Sequence, residues 1–424
     1  MSALERMLGE FAAHAPPSRA ARSAAAALRA HGLPTRRDEN WHYADLRALE
    51  AITQFRSTPP SSGTAVPALP APLEGHTRLV FLDGVLLADG PLPASATIAR
   101  LPVTDAPDRP VAADFETAGD GRMGQIARMF APQPLALQVG GSSALEIVHV
   151  TSPAAVNAHT AITIDVAAGA TLDLVERHLG RADAPSDESP ATALHSSNLE
   201  LRLGAHSQLR HTCLRQARGQ SLRFHTLAVE LAANAAYELR HVAAGDGSER
   251  CSAQVRLQGR DARVQTHALA AARGTEHADL QFTVIHAAPG TRSEFLFRGI
   301  ASDRAHVSCS ADVQAEASAP GARVKQSLRG LIDGHGAAVN LRPRLTINTD
   351  DIQAQHGATT GRLDEELLYY LLARGLEPAT ARSLLKWALL GEVLAAIEPP
   401  ALRRDAELAT AAQLRDATTA ELLQ

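Results

Sequence analysis

Aromatic residues make up only 4% of this 424-residue chain: nine phenylalanines, four tyrosines and two tryptophans. A core with so few rings must be built from Ala, Val, Leu and Ile, whose compact shapes suit narrow, regularly stacked layers. Lysine is almost missing, with only Lys325 and Lys386. Neither follows a glycine-rich loop, and the absence of G-x-x-x-x-G-K-[ST] excludes a P-loop ATPase. Cysteine is scarce as well. Cys213, Cys251 and Cys309 lie far apart with no C-x-x-C spacing, which indicates reduced thiols rather than a disulfide framework or a self-contained thiolate metal site. Neither sign of charge dominates: 41 basic and 46 acidic residues leave a net charge of -5, too little to gather nucleic acid or anionic lipid. No stretch approaches the roughly 18 apolar residues of a membrane span, and Met1 to Ala30 lacks a basic start followed by an apolar run. The expectation is a soluble cytoplasmic protein.

What is present divides the chain into three regions, as its length leads one to expect. Leu4, Met7, Leu8 and Phe11 recur at helical spacing, and an alanine-rich helix from Ser18 to Ala30 stops at His31-Gly32-Leu33-Pro34. Pro59 to Pro72 has linker composition, which sets a helical region at 1–72. From about Thr77 the pattern becomes short alternating runs, such as Leu79-Val80-Phe81-Leu82 and Ile162-Thr163-Ile164-Asp165-Val166. Turns recur at Gly169-Ala170, Gly204-Ala205, Asn234-Ala235, Gly259, Pro289-Gly290 and Gly321-Ala322. Their spacing of roughly 25 to 35 residues favours a solenoid over a sandwich, whose turns come about every 8 to 12 residues. The β region is set at 73–349 and a C-terminal helical region at 350–424. In the latter, Asp364 starts a helix that Gly375 closes, Pro378 opens another to about Ile397, and Arg403 to Gln424 has little to bury.

The most informative stretch is Thr349-Asp350-Asp351-Ile352-Gln353-Ala354-Gln355-His356-Gly357-Ala358-Thr359-Thr360-Gly361, read as the link from the last strand to the C-terminal helices. It resembles the D-D-V-x-C-x-H-G-A-T-x-G signature of the SufB and SufD family of iron-sulfur cluster assembly scaffolds. The resemblance continues through Leu363-Asp364-Glu365-Glu366, Tyr369-Tyr370-Leu371 and Arg374-Gly375. It extends to His277-Ala278-Asp279, His286, Pro289-Gly290, Arg298-Gly299-Ile300 and Asn340-Leu341-Arg342-Pro343-Arg344-Leu345, and to Glu39-Asn40-Trp41-His42-Tyr43-Ala44-Asp45-Leu46 near the N-terminus. The length and the lack of N-terminal cysteines point to the SufD type. Ala354 stands where the signature has cysteine.

The resemblance implies a mainly β protein: a right-handed parallel β-helix flanked by N-terminal and C-terminal helical regions. It also implies a SufB-like paralogue and a SufC-like ATPase as partners, with a homodimer possible in isolation. No cofactor is expected to be tightly bound in isolation; iron, sulfide or an iron-sulfur cluster would be held transiently in the complex. His356 is then the candidate iron or nascent-cluster ligand at the SufB interface, since a neutral imidazole is a borderline donor. Judged alone, it reads more readily as a capping histidine that hydrogen-bonds the turn, and only the resemblance puts the ligand role ahead. Leu367, Leu368, Leu371, Leu384, Leu385 and Leu389 offer more apolar surface than two short helices bury between them, as a partner face or as a cap on the solenoid's open end. Asp364-Glu365-Glu366 reads as an N-cap. His306 and Cys309 would face opposite sides of a strand. His211, His225, His241, His267, His277 and His286 show no metal-site spacing. Any ATP hydrolysis belongs to another subunit. A purely structural partner is the nearest alternative, and a β-helix polysaccharide lyase or hydrolase is disfavoured by the shortage of aromatic platforms and of a secretion signal.

Overall fold

The computed structural model describes residues 2–14, 18–44, 46–57, 68–87, 98–101, 121–152, 157–180, 193–216 and 221–416. Most of the expected linker from Pro59 lies outside them. The chain is a parallel β-solenoid with helices at both ends. Ile98–Leu101 (β3) aside, the odd-numbered strands form one ten-stranded sheet, A, together with the short Val85–Leu86 (β2), and the remaining even-numbered strands form a nine-stranded sheet, B, with β3 at its first edge. From Leu135–Val139 (β4) onward successive strands alternate between the two sheets, so each coil adds one strand to each. Sheet A runs from Thr77–Leu82 (β1) through Ser142–Val150 (β5), Thr171–Leu179 (β7), Gln208–Arg215 (β9), Ala236–Ala243 (β11), Arg263–Ala272 (β13), Arg292–Ser302 (β15) and Ala322–Asp333 (β17) to Ile352–Gly361 (β19). Sheet B includes Ala193–Leu203 (β8), Ser221–Leu231 (β10), Ser248–Leu257 (β12), His277–His286 (β14), His306–Ala315 (β16) and Ala338–Ile347 (β18).

The coils are held in step by a column of turns. Gly169, His206, Asn234, Asp261, Gly290 and Gly321 all adopt positive φ, the left-handed conformation that Gly, Asn and Asp accept most readily. Each of these turns is hydrogen-bonded to the next through a backbone N–H: Gly169 to Ala205 O (2.8 Å), His206 to Ala233 O (2.9 Å), Asn234 to Arg260 O (2.9 Å), Asp261 to Pro289 O (3.0 Å), Gly290 to Pro320 O (2.9 Å) and Gly321 to Asp351 O (2.8 Å). The turns therefore satisfy one another's polar backbone groups. Packing here is close: a Cβ on Gly259 would lie 2.0 Å from the Ala233 backbone nitrogen.

Between the sheets, Leu, Ile, Val, Ala and a few Phe interdigitate, among them Leu145, Leu172, Leu201, Val229, Phe282 and Phe297. The two helical regions cover opposite outer faces. Helices Ala3–Ala13, Arg19–His31 and Arg122–Phe130 bury Met7, Leu28, Ile126 and Trp41 against Leu194, Leu222 and Phe224 of sheet B. Ser2 opens the first with a capping box involving Glu5. Helices Pro378–Leu394 and Pro400–Leu414 place Leu390, Val393, Leu402 and Ala406 on Val242, Leu269 and Ile300 of sheet A. The C-terminal helices thus lie along a sheet face and do not cap the solenoid's open end.

Two further expectations change. The stretch 352–361 is not a link to the helices but a full strand, so helix begins only at Glu365. Arg403 onward, expected to bury little, has Ala406, Ala409 and Ala411 enclosed, because a continuous apolar sheet face lies beneath it.

Candidate functional site

His356 lies on β19, paired in register with Gln326 of β17. Side chains alternate along a strand, so Ile352, Ala354, His356 and Ala358 share the row that continues the inter-sheet core, opposite Ala322, Val324, Gln326 and Leu328. No coil follows among the described residues, and His356 is exposed. β18 and β19 each end their sheet, which leaves two ten-residue edges with free backbone donors and acceptors. Ile347 on β18 is 43% exposed for the same reason. With Ala354 in the row, His356 is the one side chain among Ile352, Ala354, His356 and Ala358 that carries a nitrogen, oxygen or sulfur donor.

Two stretches far apart in sequence meet beside this end. Arg344 Nη1 donates to Glu39 Oε1 at 2.7 Å, and Arg342 Nη2 donates to Asn40 Oδ1 at 3.0 Å. Trp41 next to them is buried and carries the Arg250 guanidinium over its ring at 3.7 Å.

Helix Glu365–Ala373 buries none of its residues. Asp364 caps it, its Oδ1 accepting from the backbone of Glu366 and Leu367, as expected. Leu367 is 52% and Leu384 49% exposed; Leu368, Leu371 and Leu385 are half-buried. Leu389 packs against the cluster over sheet A. Tyr369 and Tyr370, at 74% and 53% exposure, extend the apolar face; the sequence marks them through the family resemblance and not as part of that face.

A polar seam inside the middle coils was not foreseen. In sheet A, Glu176 is in register with Cys213, Cys213 with His241, and His149 with His178. In sheet B, Ser197, His225 and Cys251 are in register. All these side chains occupy rows that elsewhere carry Leu, Ala and Phe. Glu176 is the hub: its Oε1 accepts from His149 Nε2 and His178 Nε2, both at 3.0 Å. Its Oε2 lies 3.4 Å from His211 Nε2 and 3.9 Å from His225 Nε2. Arg215 Nε, at the seam's edge, donates to Glu249 Oε2 at 2.6 Å. Burial opposes ionisation of Glu176, but the facing imidazoles of His225 and His178, with hydrogen bonds from His149 and His178, hold its carboxyl well below the usual range. Burial pushes His225 down to about 3 and His241 down to about 4, so both rings are neutral. Burial raises the Cys213 thiol well above its ordinary value, and the Glu176 charge adds to it.

His277 and His306 stack instead in the next coils with ring centroids 4.7 Å apart, and Cys309 is buried in the core. An open groove of about 420 Å³ on sheet A is lined by Arg263, Arg292, Glu294, Arg323 and Lys325. The aromatic among its lining residues, Tyr237, is buried, so the groove offers no platform for a sugar ring.

Residues 149–389, more than half the chain, match the SUF system FeS cluster assembly SufBD core domain. The chain belongs to this SufBD family of iron-sulfur cluster assembly proteins. Its likeness is to the SufD type: it is 26% identical over 388 residues to the iron-sulfur cluster assembly protein SufD of Escherichia coli, covering 88% of this chain and 87% of that one. A SufBD family protein of Synechocystis is 24% identical over 378 residues, 85% of this chain and 83% of the relative. One from Mycobacterium leprae reaches 34% over 175 residues, 39% of this chain and 45% of its own.

Proposed function

We propose that this chain is the SufD-like half of a cluster assembly scaffold, joined to a SufB-like paralogue through the open end of its solenoid and to a SufC-like ATPase through its exposed C-terminal helix. The observation that carries the pairing is the uncovered edge formed by β18 and β19, where two strands and an apolar row stop without a cap. Such an edge is completed by strands of similar geometry, and a second solenoid of the same family supplies them. His356 then meets the partner's inner row, where water is excluded and a neutral imidazole is a suitable donor to iron. The cargo is nascent iron and sulfide; one imidazole cannot hold it, so the remaining ligands come from the SufB-like chain. Gly357, whose Cβ position is open, lets the partner's backbone approach beside the imidazole. Leu367, Tyr369, Tyr370 and Leu384 form the face offered to the ATPase, which contributes the nucleotide chemistry this sequence lacks.

Co-expression with the host's SufB-like and SufC-like proteins tests each part. The tagged chain recovers both. Leu367→Asp combined with Leu384→Asp loses the ATPase but keeps the paralogue. His356→Ala keeps the whole complex and loses cluster assembly. Normal assembly by the His356→Ala complex overturns the ligand role, and recovery of neither partner by the folded wild-type chain overturns the scaffold reading.

A further inference from the structure

We propose that the seam inside the middle coils is a binding site for one borderline divalent metal ion, of the Fe²⁺ or Zn²⁺ class, ligated by Glu176, His211 and Cys213, with His225 flanking them and the fourth position left to water. Donor atoms of Glu176, His211 and Cys213 all lie within 4.8 Å of one another. Glu176 Oε2, His211 Nε2 and His225 Nε2 are fully buried and have no hydrogen-bond partner. Orphaned buried polar atoms are costly, and here they converge. The separation of 3.4 Å from Oε2 to His211 Nε2 matches the edges, about 3.3 to 3.8 Å, of a tetrahedron with metal bonds of about 2.0 to 2.3 Å, and His225 Nε2 flanks the group at 3.9 Å from Oε2.

The surroundings orient these donors as they do around metal ligands generally. His211 Nδ1 is bonded to Tyr237 Oη at 3.0 Å and His225 Nδ1 to Ser197 Oγ at 2.7 Å. With Nδ1 donating to a hydroxyl, each ring turns the lone pair of Nε2 toward Glu176. His149 and His178 anchor Oε1 and leave Oε2 free. One carboxylate and one thiolate balance a divalent charge. When the ion binds, the Cys213 S–H bond is exchanged for a metal–sulfur bond, the proton leaves to water, and no electron moves. A mixed nitrogen, oxygen and sulfur donor set selects borderline ions over Mg²⁺ or Ca²⁺. A cavity of about 40 Å³, room for a water, lies against His149 and His178, the two residues that anchor Glu176. The ion ties β7 and β9 of sheet A together at the face that meets His225 of sheet B. His211 and His356 share one register column, five strands apart, or about 24 Å at normal strand spacing, so this site is separate from the open end.

The test is anaerobic titration of the metal-free full chain with Co²⁺, read by the thiolate-to-cobalt charge-transfer absorption and by Tm. One equivalent should saturate the band and raise Tm. Cys213→Ser should abolish the band and His225→Gln should weaken binding by about tenfold or more, while His356→Ala leaves both unchanged. The variant Cys251→Ser/Cys309→Ser, with Cys213 as its only thiol, should keep the band, which makes the result independent of whether Cys213→Ser folds. Absence of a thiolate band in the folded wild-type chain, or its loss from the variant that retains only Cys213, overturns the proposal.

Discussion

The middle coils and the last coil use the same side chain in opposite ways. In the seam, imidazoles are packed away from water and aimed by hydroxyls and a carboxylate, and burial keeps His225 neutral. At the open end, His356 occupies the same kind of inward row but stands exposed, with only Gln326 beside it in register. Position along the solenoid, not residue type, decides whether a histidine is part of the folded architecture or available to a partner. Stability should therefore be concentrated in the middle, and association at the end.

Acid should divide the two most sharply. His159, His225, His241 and His286 are each pushed down by burial, to about 4, 3, 4 and 4. Their unfolded value lies near 6.5, so the unfolded chain takes up protons first; stability is complete above about pH 6.5 and is lost as pH falls toward 4. Each ring contributes up to about 1.4 kcal/mol per pH unit in that window. Denaturant titrations between pH 7.5 and 5 should show this loss, with a shallower slope for His225→Gln and an unchanged one for His356→Gln. Equal slopes for the two variants would erase the distinction.

Phe297 continues the Glu176, Cys213 and His241 column into the apolar coils and is fully buried. Phe297→Ala should cost about 3–5 kcal/mol by urea unfolding, against less than about 1 kcal/mol for Ile347→Ala at the half-exposed end. A smaller contrast gives the pair its mildest test: Gly259→Ala, which meets the Ala233 backbone, should cost about 1–3 kcal/mol. Gly357→Ala, with open space around it, should stay within about 0.5 kcal/mol yet lower recovery of the SufB-like partner. A Gly357→Ala chain that unfolds like Gly259→Ala would show the last coil to be as tightly packed as the middle.

The solenoid was legible because strand alternation and turn residues recur together, and the family signature around His356 was legible because it is contiguous. The seam was hidden because its members are spread over many coils whose lengths differ: Glu176 pairs with Cys213 after 37 residues, but Cys213 with His241 after 28. No fixed period superimposes them. Counting from the left-handed turn residues does: seven residues beyond Gly169, His206, Asn234, Asp261, Gly290 and Gly321 stand Glu176, Cys213, His241, Ala268, Phe297 and Leu328. Sequence reading placed two of those turns at Gly204 and Gly259, where glycine is conspicuous, rather than at His206 and Asp261. Tyr369 and Tyr370 are visible in the family resemblance, but their place on the exposed face is not, because sequence does not show which helix face a sheet leaves uncovered.

The column of bonded turns also acts as a ruler. Because each coil is keyed to its neighbour at that one corner, with its length free to vary elsewhere, the molecule's reach is counted in whole coils. Inserting or deleting one between β13 and β17 would carry the terminal edge about 4.8 Å along the axis and leave the histidine seam where it is. The gap between the buried site and the docking edge can thus be changed by discrete steps, independently of the chemistry at either.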